Sequence, residues 1–170
     1  SVPSYIQKFD IIEDGLGGLV LVGHAPEGRE FIDSTGATEV VSSGGLTNAF
    51  VARIDPFGNF SWINMSGARS GAEAPYAFIG SAALLGQDEV VVGGEFQGTA
   101  TFDNLILRST NDTWDGFLGV IGLGGEYKWV TSLGGRGSDG VAKVASSKSG
   151  DIVVGGSFSG VGLGLSAGPT

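Results

Sequence analysis

The chain has 170 residues, enough for one domain with a sizeable core. It is 41% hydrophobic and 16% charged, with 32 glycines and a net charge of −9, which excludes the apolar-poor composition of disorder and the basic footprint of a nucleic-acid or anionic-membrane binder. With no cysteine it has no disulfide, thiolate metal site or cysteine nucleophile, and no apolar run approaches transmembrane length.

In chain order, the sequence predicts one short hairpin after another. Residues Tyr5 to Ile12 lead through Asp14-Gly15-Leu16-Gly17-Gly18 into Val20-Leu21-Val22. Phe50, Ala52 and Ile54 then alternate with Val51, Arg53 and Asp55. That period of two marks a strand with one face more buried than the other. Asp55-Pro56-Phe57-Gly58-Asn59 follows as a turn, since Pro presets φ and Gly accepts positive φ, and the return strand carries Phe60 and Trp62. Ala77 to Leu85 turns at Gly86-Gln87-Asp88 into Val90-Val91-Val92. Thr99 to Trp114 adds an extra hairpin or edge element. The strand after Asp115 turns at Gly122-Leu123-Gly124-Gly125-Glu126 into Tyr127 and Trp129, and Val141 to Ser146 turns at Lys148-Ser149-Gly150 into Ile152-Val153-Val154. No window has a helical period.

These hairpins repeat. Phe50, Phe60 and Trp62 match Phe117, Tyr127 and Trp129 at a spacing of 67 residues. Val90-Val91-Val92-Gly93-Gly94 matches Ile152-Val153-Val154-Gly155-Gly156 at 62, and Val20-Leu21-Val22-Gly23-His24 is a weaker copy at 70. Fixed strands joined by loops of unequal length give such changing offsets. Two hairpins make a four-stranded unit. Residues 48–114 hold one unit with insertions, 115–170 a second, and 1–47 the last hairpin of a preceding one. Units of this kind bury their faces by stacking on neighbours.

Ala49 to Ile54, Asp55 to Asn59, Trp62 and Val90 to Gly94, with Trp129, Leu133-Gly134-Gly135, Gly137-Ser138-Asp139 and Gly150 to Gly156 in the second copy, resemble the SBBP-type (seven-bladed β-propeller) repeat family. The resemblance covers most of residues 48–160 and, weakly, 5–28. It implies an all-β fold of tandem four-stranded antiparallel propeller blades on a secreted or cell-surface protein, and it supplies no catalytic residue. Propellers close with about four to eight blades, so the two and a half counted here are expected to form an incomplete propeller or one completed by other chains.

Candidate sites are few. His24 is the only histidine, and no nucleophile or ligand set is paired with it in sequence. Carboxylates fall at turns: Glu13, Asp14, Asp88, Glu89, Asp139 and Asp151. There they cap backbone N–H groups more readily than they converge on a glycoside. The run Asn111-Asp112-Thr113-Trp114-Asp115 offers oxygen ligands to Ca²⁺ without EF-hand spacing. Gly134-Gly135-Arg136-Gly137 lacks the Lys-Ser/Thr of a phosphate cradle. Trp62 and Trp129 recur at matched positions, which points to packing between units. Trp114 stands outside that pattern and is the candidate ligand contact. Asn59, Asn64 and Asn111 open sequons and are candidate glycosylation sites.

The sequence therefore points to a non-catalytic extracellular structural or interaction module that meets other protein chains or copies of itself. A carbohydrate- or ligand-binding, lectin-like propeller is the alternative, and a propeller enzyme ranks last.

Overall fold

A computed structural model describes residues 8–36, 38–40, 47–69, 76–159 and 164–165. The protein is all-β. The strands are β1 (Asp10–Glu13), β2 (Leu19–Pro26), β3 (Glu30–Ile32), β4 (Thr38–Val40), β5 (Thr47–Ile54), β6 (Phe60–Arg69), β7 (Tyr76–Leu85), β8 (Glu89–Gln97), β9 (Thr99–Phe102), β10 (Leu105–Arg108), β11 (Trp114–Gly122), β12 (Tyr127–Gly134), β13 (Gly140–Ser146), β14 (Ile152–Ser157) and β15 (Gly164–Leu165). Among the described residues a single 3₁₀ turn, Thr110–Asp112, is the one helical element, and no helix is long and apolar enough to cross a membrane. The expected strand from Tyr5 is seen from Asp10 onward. Residues 5–7 lie outside the described residues, as do 70–75 and Gly160.

The pairing repeats. β1, β2, β5 and β6 form an antiparallel meander, and β7, β8, β11 and β12 form another. Hydrogen bonding thus joins the two kinds of hairpin across residues 47/48 and 114/115. The β13–β14 hairpin corresponds to β7–β8. Between its second and third strands each meander carries a small inserted hairpin, β3–β4 in the first and β9–β10 in the second. The extra element expected between Thr99 and Trp114 is therefore present in both repeats. Phe31 of β3 lies against Phe50 and Phe60 with ring centroids at 4.7 and 6.1 Å, as Phe102 of β9 lies against Phe117 and Tyr127 at 4.7 and 5.3 Å.

The turns explain why such different sequences build the same hairpin. In Asp55–Asn59 the Asp55 N–H donates to Asn59 O at 2.9 Å and Gly58 N–H to Asp55 O at 3.0 Å. In the glycine version Gly122 N–H donates to Glu126 O and Gly125 N–H to Gly122 O, both at 2.9 Å. Gly58 and Gly125 hold φ of 86° and 98°, where a side chain is strained. The bulge before Ile54 in β5 recurs before Ile121 in β11, again 67 residues on.

Each meander has two faces, and they are used in sequence. The front of the first meander (Val20, Val22, Ala49, Val51) packs on the rear of the second (Ile79, Val90, Val92, Phe117, Ile121) in the main core. The front of the second (Val91, Leu118, Val120) packs on Val141 and Val144 of the third hairpin. Trp62 and Trp129 lie opposite Arg53 and Val120 at matched register. Trp62 packs against the first interface and Trp129 against the second. A single parallel bridge at Thr47–Tyr76 and the pairing of β9 with β6 join the meanders into one sheet. Among the described residues that sheet has 11 strands and is nearly closed and barrel-like.

The Gly-Gly after each strand of valines follows from this packing. Opposite a bulge in β7, a Cβ on Gly94 would overlap the Phe78 carbonyl oxygen, and one on Gly156 would overlap that of Gly140. A Cβ on Gly93 would stand 2.5 Å from Val141 Cγ1 and 2.6 Å from Val144 Cγ1 of the next layer. Gly23 pairs with Phe50 as Gly94 pairs with Phe117. The first repeat thus aligns at 71 residues, not the 70 read from the sequence, and Gly23 rather than His24 matches Gly94.

Candidate functional site

Two surfaces stand out. The first is the rear face of the first meander. Leu21, Phe50, Ala52, Ile63 and Met65 form its floor and Phe31 covers one side. Phe9, Ile11 and Leu19 are left exposed on it. Phe9, Leu21, Gly23 and Phe50, with Lys8 and His24 at the rim, line an open hollow of about 260 Å³.

The second is an aromatic row on the front of the second meander. The Tyr76 and Trp114 rings stack at 5.9 Å, Phe78 and Trp114 at 5.5 Å, and Tyr76 and Phe78 at 6.0 Å. Antiparallel pairing sets this up: Gln97 lies opposite both Tyr76 and Trp114, so the rings flank one position of β8. His24 meets Phe78 edge-on at 4.7 Å. Lys8 Nζ donates to Glu95 Oε1 at 2.6 Å beside the row. Trp114, the ligand contact expected from sequence, is therefore half-buried in an aromatic cluster. Tyr76 and Phe78 were missed because nothing in linear order joins them to a residue 36–38 positions away.

His24 donates from Nδ1 to the Lys8 carbonyl at 3.2 Å. Burial, with the Lys8 ammonium adding to it and the hydrogen bond opposing, lowers its pKa, so the ring is neutral at pH 7.

Three of the turn carboxylates, Asp14, Asp139 and Asp151, accept hydrogen bonds from nearby backbone or side-chain groups. Buried Asp14 accepts from Leu16 and Gly18 N–H at 2.7 and 2.8 Å and from Arg53 Nε at 2.9 Å. Asp139 accepts from Gly135 N–H at 2.7 Å and Ser159 N–H at 2.6 Å. Asp115, in the run read for Ca²⁺, is buried. It accepts from Thr110 N–H at 2.9 Å, while its Oδ1 has no partner. Burial raises its pKa and the Asp139 charge adds to this. Among the described residues no three His, Cys, Asp or Glu side chains gather as a metal set.

The three sequon asparagines are apart. Asn59 sits in the β5–β6 turn, its Oδ1 accepting from Ser34 Oγ at 2.7 Å. Asn64 lies in β6 and donates to Asp103 Oδ1 at 2.7 Å and Gly125 O at 2.8 Å, so a glycan there displaces bonds between the meanders. Asn111 is exposed on the 3₁₀ turn at φ 52°, three residues before Trp114.

One polar line joins all three repeats. Asp10 of β1 accepts from Ser81 Oγ of β7 at 3.3 Å and Lys143 Nζ of β13 at 2.9 Å. Ser81 Oγ in turn accepts from Val144 N–H at 3.2 Å. The first strands of successive repeats thus lie side by side.

No protein-family model matches the chain, and no curated protein matches it.

Proposed function

We propose that the chain is a non-catalytic structural and interaction module of tandem propeller-type blades, working outside the cell or at its surface, that meets other protein chains or copies of itself. The observation that carries this is the front-to-rear packing made twice in succession with equivalent residues. A propeller sets four-stranded antiparallel sheets face to face around an axis. In that reading β1, β7 and β13 are the strands nearest the axis, tied by Asp10, Ser81 and Lys143. The extracellular location follows from the resemblance of the repeats.

A second reading has one specific observation behind it. The Tyr76–Phe78–Trp114 row offers aromatic faces beside Gln97 and Glu95, as a sugar platform would. Titration with soluble oligosaccharides, followed by tryptophan fluorescence, separates the two. The module reading expects no saturable change. Saturable binding that disappears in Trp114→Ala overturns it in favour of a lectin-like function.

A further inference from the structure

The two ends of the stack expose faces whose counterparts in the middle are covered. On the rear of the first meander Ile11 lies opposite Leu21 and Leu19 opposite Ile54. The corresponding pairs in the second meander are Ala82 with Val92 and Val90 with Ile121. Ile11 is 53% exposed and Leu19 41%, whereas Ala82 is 5% exposed and Val90 0%. The difference is what lies over them: Val20, Val22, Ala49 and Val51 cover the second meander's rear face. At the other end Val153, opposite Ala145, corresponds to Val91, opposite Ala83. Val153 is 63% exposed and Val91 0%, because Val141 and Val144 cover Val91.

We infer that these two faces bind each other between copies of this chain, the front of β13–β14 in one copy docking on the rear face of the first meander in the next. The occupant is specified from within the molecule. Twice along the chain a rear face of this pattern is covered by a front face of aliphatic residues, and Val153 with Ala145 and Gly155 presents a smaller face of that kind. The hollow between Phe9, Leu21 and Phe50 receives it. The contact is heterologous, using different patches on the two partners, so it continues head to tail, into a ring where the rotation closes and into an open filament where it does not. This inference rests on the stacked-repeat reading above and names its partner.

Sedimentation velocity on the 170-residue chain across a concentration series tests it. Wild type is expected to shift from the 17.2 kDa monomer to multiples as concentration rises. Ile11→Glu, which blocks the rear face, and Val153→Glu, which blocks the front, are each expected to stay monomeric. Mixed in equal amounts they form a one-to-one dimer and nothing larger, since each keeps the face the other has lost. Leu19→Lys serves as a second rear-face variant, and thermal melts check that every variant still folds. A wild type that stays monomeric at millimolar concentration overturns the inference, as does a Val153→Glu chain that self-associates like wild type. Either result with a cooperative melt leaves the stacked-repeat reading standing. That reading has its own test in the paired glycine substitutions of the Discussion.

Discussion

Asp14 and Asp115 are both buried aspartates, and their surroundings act on them in opposite directions. Burial alone disfavours the charge on Asp14, but the Leu16 N–H, Arg53 and the Gly18 N–H outweigh it and hold its pKa below the ordinary value. A carboxylate whose pKa is lower in the folded state stabilises the fold above its unfolded pKa, and that share is lost as the pH falls through the folded value. Asp14→Asn is therefore expected to cost about 2 kcal/mol at pH 7, the scale of hydrogen bonds to a charged group, with the gap to wild type closing below about pH 4. Asp115 is the reverse case. Its raised pKa means that stability falls as the pH rises through the folded value. The first repeat has Asn48, also buried, at the corresponding position. Asp115→Asn is expected to raise stability at pH 7 by about 1 kcal/mol and to have no effect in acid. Thermal melts of the two variants across pH 3–8 check both signs, and parallel curves for either variant and wild type contradict the account.

Gly93 and Gly155 occupy the same place in successive repeats, in β8 and β14, yet the structure predicts different tolerance. Gly93 lies under Val141 and Val144, while a Cβ on Gly155 meets nothing within 4 Å. Gly93→Ala should cost about 1–3 kcal/mol through overpacking, and Gly155→Ala should be near neutral. Equal effects at the two sites would mean that β13–β14 does not cover β8, and the stacked-repeat reading fails with it. The pair also shows what could be read beforehand. The matched spacing of Phe50, Phe60 and Trp62 with Phe117, Tyr127 and Trp129 identified the hairpins, because strand register and turn geometry are local. The use of one glycine for the next layer and its neighbour for a bulge was not legible, because both depend on what lies opposite. Phe31 and Phe102 carry equivalent hairpins whose remaining residues differ, so the first insertion passed unnoticed. The aromatic row was hidden for a similar reason: β7 and β11 meet only through β8.

Layers that stack face to face on their neighbours, with Asp10 and Lys143 tying the first to the third, approach a one-dimensional object, with stability built largely from each unit and its interfaces. The second meander is covered on both faces, with Val90, Val91, Val92 and Phe117 fully buried. The first meander and the β13–β14 hairpin each have one open face. Local opening should therefore begin at the ends. Native-state hydrogen exchange is expected to show the slowest amides in β8 and β11 and much faster ones in β14. β1 should fall between them, since the Asp10 link to Ser81 and Lys143 holds it to both other repeats. The same measurement at increasing protein concentration connects this gradient to assembly. Covering the end faces should slow exchange in β1, β2 and β14 and leave β8 and β11 unchanged, because their opening already requires the core to separate. A β14 hairpin protected as strongly as β8 in the dilute monomer would mean that the open face carries no energetic cost, and the drive for a second copy to cover it would vanish.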